Sequence, residues 1–136
     1  MELTVKPDFE QFKDLPGTTI FTLEKGREGY QLNQFCMSLR TGPNRKRFLA
    51  DEAAYLDEWD MSPEQKEAVL TRNFQQMLDT GGNVYFLSKI FASEGLSYVQ
   101  AVSTMTDMNV EQYQAMMLAG GRNIEGWRSK KERGEA

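Results

Sequence analysis

Helix start and stop signals recur so closely along this chain that no long helix fits between them. Ser62 is followed by Pro63 at a first helical position and by Gln65 three residues on. That is a capping box, in which two side chains satisfy backbone N–H groups that a helix start leaves without partners. Asn109 and Gln112 repeat the arrangement. The glycine pairs Gly81-Gly82 and Gly120-Gly121 read as stops, because Gly takes the left-handed conformation that ends a helix. Between these marks the apolar residues keep helical spacing. Thr22 caps a helix to about Leu39, with Tyr30, Leu32, Phe35, Cys36 and Leu39 near one face. After a break at Gly42-Pro43, a helical stretch runs from Asn44 to Trp59, open to a bend near Asp51. Short helices follow from Ser62 to Thr71 and from Asn73 to the first glycine pair. Asn83 caps the next one, which Gly95 ends, and Ser97 caps another. No alternating run longer than a few residues suggests a strand. The expected fold is all-α, a single small domain of several short helices. Its limits are a helical domain over 16–122, an N-terminal extension over 1–15 and a charged, solvated tail over 123–136.

The helix after Asn83 is unusual. Val84, Tyr85, Phe86, Leu87, Ile90, Phe91 and Ala92 cover nearly its whole circumference, leaving Ser88 and Lys89 polar. A surface helix of a small domain carries one apolar stripe. A chain of 136 residues has room for one core, not two. Some of this apolar surface is therefore expected in an interface, and obligate interfaces resemble a core cut in half. The ordinary alternative is a core that uses Met as filler among eight Phe and eight Met residues.

The chain contains no histidine, which excludes His-ligated metal sites and His-based catalysis. One cysteine, Cys36, excludes an intrachain disulfide and a thiolate metal site, and fits a reducing cytoplasm. Its neighbours Phe35, Met37 and Leu39 suggest a buried structural thiol. A net charge of −4 disfavours nucleic-acid binding. A helix-turn-helix around Gly95 fails for the same reason: its second helix, "SYVQAVSTM", has no Lys or Arg. No apolar run approaches the roughly 20 residues of a membrane span, and the opening "MELTVKPDFE" does not read as a secretory signal.

Asp51, Glu52, Asp57, Glu58 and Asp60 form an acidic group. An EF-hand loop begun at Glu58 would put Pro63 where Gly is needed and Val69 where Glu is needed, which rules it out. A carboxylate pair for glycoside hydrolysis stays open beside a solvated helix face. "DMSPEQKEA" from Asp60 and "DMNVEQYQA" from Asp107 share Asp, Met, Glu, Gln and Ala. Two helix starts using the same capping chemistry is the simpler reading, and an internal duplication is the other.

Longer blocks carry a resemblance. "GYQLNQFCMSL" (Gly29–Leu39), "NRKRFLADEAAYLDEW" (Asn44–Trp59), "GGNVYFLSKIF" (Gly81–Phe91), "STMTDM" (Ser103–Met108) and "YQAMMLAGGR" (Tyr113–Arg122) stand in this order. Together they resemble the small, alpha subunit of protocatechuate 4,5-dioxygenase, from about Pro16 to Arg122. The chain departs from that pattern at Ser103 and Asp107, where small residues, usually Gly, are expected.

The resemblance implies a division of labour. The larger beta subunit holds one non-haem Fe(II) through two His and one Glu and supplies the acid/base for ring opening. The small subunit acts as a helical lid on it, typically in an α₂β₂ tetramer. The substrates implied are O2 and an aromatic diol, protocatechuate or a close relative such as gallate. Catalytic and metal-binding residues are then expected to be absent here, with Fe(II) bound by the partner. Tyr98, the residue after Ser97, is expected at the substrate pocket, where Phe is usual, with Phe91 and Met105 on the same wall. Val84, Phe86, Leu87 and Ile90 are expected at the partner interface. A freestanding helical binding module without an enzymatic partner is the competing reading.

Overall fold

In a computed structural model, residues 9–134 are described. Among them the regular structure is helical, with no strand: a 3₁₀ turn at Phe9–Phe12 and nine α-helices. These are α1 (Leu23–Glu28), α2 (Tyr30–Ser38), α3 (Gly42–Ala50), α4 (Glu52–Leu56), α5 (Pro63–Leu70), α6 (Phe74–Asp79), α7 (Val84–Ser93), α8 (Tyr98–Ser103) and α9 (Val110–Leu118). The described residues of Phe21–Arg122 form one compact unit, and those of the two ends, Met1–Ile20 with Asn123–Ala136, form another.

The helix starts follow their local chemistry. Both capping boxes form, with Gln65 N donating to Ser62 Oγ at 3.1 Å and Gln112 N donating to Asn109 Oδ1 at 2.8 Å. A third, at Ser97 and Gln100, completes the start of α8. Asp51 bends the stretch between α3 and α4 by ending one helix and capping the other, its Oδ1 accepting from Ala54 N at 3.1 Å. The helix expected to run unbroken from Thr22 to Leu39 is instead two. It breaks at Gly29 because the backbone of Gly81 lies directly against that residue, where a Cβ would overlap the Gly81 carbonyl. Periodicity within one segment cannot reveal a contact made by another.

This junction is tied by buried polar side chains. Asn33 donates to Gly81 O at 3.1 Å and accepts from Asn83 N at 3.0 Å. Gln65 donates to Glu28 O at 3.0 Å and to Thr80 O at 2.8 Å. Asn33 and Gln65 are 6% and 3% exposed, so water contributes little there, and these bonds replace the solvation lost on burial.

The core lies between α2, α7 and the α3–α6 segment. Phe35 meets Phe48, Tyr55 and Trp59 edge to face, with ring centroids at 5.2, 5.9 and 6.4 Å. That geometry suits the ring quadrupoles. Over Phe48 lies the Arg72 guanidinium, which bonds Glu52 and Glu94 and donates to Val69 O at 2.6 Å. Arg72 is left-handed, with φ 55°, a strain its three partners hold in place.

In the unit formed by the ends, Asp14 accepts from Lys130 N at 2.6 Å and Lys131 N at 3.0 Å. The Trp127 ring occupies the space beside Gly17, where φ is +67°.

Candidate functional site

The residues singled out by the sequence lie on α7, α8 and the turn after α8. Asn83 starts α7: its Oδ1 accepts from Tyr85 N at 2.9 Å, while Asn33 holds its backbone. The all-round apolar helix then divides its surface. Leu87, Ile90 and Phe91 point into the chain's own core at 2% exposure or less. Phe86 is half-buried, and Val84 and Tyr85 are exposed at 38% and 70%. Lys89 Nζ lies 5.6 Å from the Tyr85 ring centroid, a cation–π contact on the outer face. Of the four residues assigned to an interface, then, Val84 and Phe86 offer surface, whereas Leu87 and Ile90 lie beneath it.

Gly95, at φ +72°, turns the chain after α7. Ser97 and Gln100 fix the first turn of α8 by reciprocal bonds of 3.1 and 2.7 Å. Tyr98 stands at the first position of that helix. Its ring sits 6.3 Å from that of Phe91, edge to face, and Phe91 packs in turn on Phe74 at 4.5 Å. An exposed aromatic, 56% accessible, is therefore seated on a buried aromatic pair. Met105 lies half-buried against the same core. Ser103, where the resemblance leads to the expectation of Gly, is 5% exposed, and its Oγ donates to Gln100 O at 2.7 Å. The small residue is thus demanded by burial, and the extra hydroxyl is satisfied within its own helix.

Four of the five residues of the acidic group are engaged in capping or ion pairs. Asp51 caps α4, Glu52 bonds Arg72, Asp57 pairs with Lys66 at 3.2 Å and Glu58 pairs with Arg47. Among the described residues no three His, Cys, Asp or Glu side chains gather where they could hold a metal ion. Cys36 is fully buried, and burial pushes its thiol pKa up, so it offers no thiolate. Among the described residues, then, no donor set fits an iron ion. A shallow apolar groove lined by Phe21, Leu23, Gly26, Arg27 and Tyr30 contains none of the residues singled out. Among the described residues no helix is long and apolar enough to cross a membrane.

Sequence reasoning missed three residues that position this region. Gln65 read only as the partner of Ser62 in a capping box, and nothing adjacent in sequence singled out Asn33 or Arg72. The Ser97–Gln100 spacing was a readable signal for the capping box that sets Tyr98.

Fold and site together define a small helical protein that displays an aromatic side chain on a rigid base. The model of the family described as aromatic-ring-opening dioxygenase LigAB, LigA subunit, matches residues 32–118, and the chain belongs to that family. A gallate dioxygenase of Pseudomonas putida is 28% identical over 101 residues, which cover 74% of this chain and 30% of that protein. The chain therefore spans about a third of the length of that relative.

Proposed function

We propose that this chain is the non-catalytic alpha subunit of an Fe(II)-dependent extradiol dioxygenase. It covers an active site held by a larger beta subunit, in an α₂β₂ assembly in the cytoplasm. The substrate is protocatechuate or a close relative such as gallate, opened with O2 at the 4,5 bond. Iron bound by the partner supplies the oxygen chemistry. Family membership and the gallate dioxygenase relative support the reaction class.

One observation carries the lid role: Tyr98 is more than half exposed while its ring is held by the buried Phe91–Phe74 pair. Holding an aromatic outward exposes apolar surface to water, and a partner pocket would remove that cost. In that setting the ring excludes water from the substrate, and its hydroxyl is placed to hydrogen-bond a substrate carboxylate or a water. Met105 completes the wall, and Phe91, buried in the core, supports the Tyr98 ring from below. Val84 and Phe86 reach the partner directly, and Leu87 and Ile90 support them from below.

The test is to tag this chain, purify it from cells that also express its catalytic partner, and assay ring cleavage of protocatechuate and gallate. A co-purifying chain that carries iron and opens either ring is the expected result. A tagged chain that purifies alone as a compact, soluble monomer would support the freestanding module instead.

A further inference from the structure

The two copies of the Asp-Met…Glu-Gln…Ala sequence differ in one respect. In the first, Met61, just before the cap of α5, and Gln65, Ala68 and Val69 on that helix are all 6% exposed or less. In the second, Met108, just before the cap of α9, and Gln112, Ala115 and Met116 on that helix occupy the same positions. There Gln112 and Ala115 are exposed, and the two methionines are half-buried. The local structure is nevertheless the same. Each Gln closes a capping box through its own Oε1, at 3.0 Å to Ser62 N and 2.9 Å to Asn109 N.

The first copy shows what such a face binds. Gln65 Nε2 donates to Glu28 O, at the end of α1, and to Thr80 O, the residue that ends α6. It thereby caps the carbonyls of two helix C-termini, groups a helix leaves without internal partners. Ala68, one turn further along α5, is buried with it at 2% exposure. Among the described residues, the Gln112 amide nitrogen has no such acceptor. α9 has no buried residue of its own, and Leu118 at its end is 90% exposed. A helix this short gains most of its stability from tertiary packing. Moreover, α9 packs against α8, the helix that carries Tyr98, which the proposed function turns toward the partner.

We propose that the Met108–Gln112–Ala115–Met116 face of α9 docks onto helix C-terminal carbonyls of the dioxygenase's catalytic chain, with the Gln112 amide donating to them as Gln65 does within the core. This rests on the function proposed above and names the surface and the chemistry of its partner.

Gln112→Glu isolates the idea. Glu at this position keeps the capping box and suits a helix start, so the free chain folds as before. It removes both N–H donors and places a carboxylate against carbonyl oxygens. Ala115→Leu tests the close approach independently, and Gln114→Ala, exposed but about 160° around the helix from Gln112, is the control. The measurement is the affinity of each variant for the purified catalytic chain, with the melting temperature of each free variant. Gln112→Glu should weaken binding by about tenfold to a hundredfold, as loss of two hydrogen bonds implies, and Ala115→Leu by a similar factor through steric overlap. The free-chain melting temperatures should stay within a degree or two of wild type, and Gln114→Ala should bind normally. Unchanged affinity for both variants, in a complex that still opens aromatic rings, overturns the docking face and leaves the proposed function standing. Weakened binding to a chain that opens no ring sustains the docking face and overturns the function. A wild-type chain that pairs only with itself, through this face, overturns the assignment of the partner.

Discussion

Replacing Gly29 with Ala should cost far more than a methyl group normally does. The backbone there has φ −91°, which any residue adopts, so the cost is steric rather than conformational. A Cβ would overlap the carbonyl of Gly81, and its near neighbours are all backbone atoms of that turn, with no flexible side chain to yield. Forcing the α6–α7 turn away resembles overpacking, worth about 1–3 kcal/mol. It also stretches the buried bonds from Asn33 to Gly81 O and from Asn83 N to Asn33, at about 1 kcal/mol each. The sum, about 3–5 kcal/mol, is a large share of the roughly 5–15 kcal/mol that holds a domain folded. Gly26→Ala, three residues earlier, is the matched control. It lies inside α1, and its nearest neighbour would be the Phe21 ring at 3.5 Å, an ordinary contact. It should stabilise by about 0.5–1 kcal/mol through helix propensity. Urea titration of the three proteins, monitored by circular dichroism, reads both effects as midpoint shifts of opposite sign. A Gly29→Ala midpoint within about 1 kcal/mol of wild type would refute the close approach and the explanation of the break between α1 and α2.

Three further outcomes follow from the same geometry. Tyr98→Phe should change kcat/KM by about tenfold or less, since one neutral hydrogen bond is at stake, whereas Tyr98→Ala should do more harm by opening the pocket wall; equal, wild-type values for both on protocatechuate and gallate, in an intact complex, would remove Tyr98 from the pocket. Arg72→Ala should destabilise by about 2 kcal/mol, because it leaves Glu52 and Glu94 without their shared cation and keeps the strained φ, while Arg72→Gly should recover about 1 kcal/mol of that by relieving the strain; identical urea midpoints for the two would contradict the backbone argument. Cys36 should resist thiol-alkylating reagents in the folded chain and react fully in denaturant, and rapid labelling under native conditions would contradict its burial.

The helical class, most helix boundaries and the bend at Asp51 were legible because they are written in neighbouring residues. A Ser, Asp or Asn placed three positions before its partner caps a helix whatever the rest of the chain does. Gly29 and Gly81 were harder to read. Each resembles an ordinary turn glycine, and their joint role exists only once distant segments meet. The same applies to Gln65, whose capping function was visible but whose bonds to Glu28 and Thr80 were not. On α7 the sequence showed too much apolar surface without showing which arc turns inward. Packing against α2 and Phe74 decides that, taking Leu87, Ile90 and Phe91 and leaving Val84 and Tyr85 outside. Tyr98 came from family resemblance, and no local rule distinguishes it from any tyrosine at a helix start.

The central claim is that this chain completes a ring-cleaving enzyme whose iron lies elsewhere. It is tested most directly by purifying the two chains separately, measuring iron in each, and titrating this chain into a fixed amount of the catalytic chain while following ring opening of protocatechuate and gallate. The account predicts no stoichiometric iron and no turnover for this chain alone, with activity rising as it is added and levelling at one copy per catalytic chain. Stoichiometric Fe(II) binding or ring cleavage by the isolated chain, or a catalytic chain whose activity is indifferent to its addition, would contradict it.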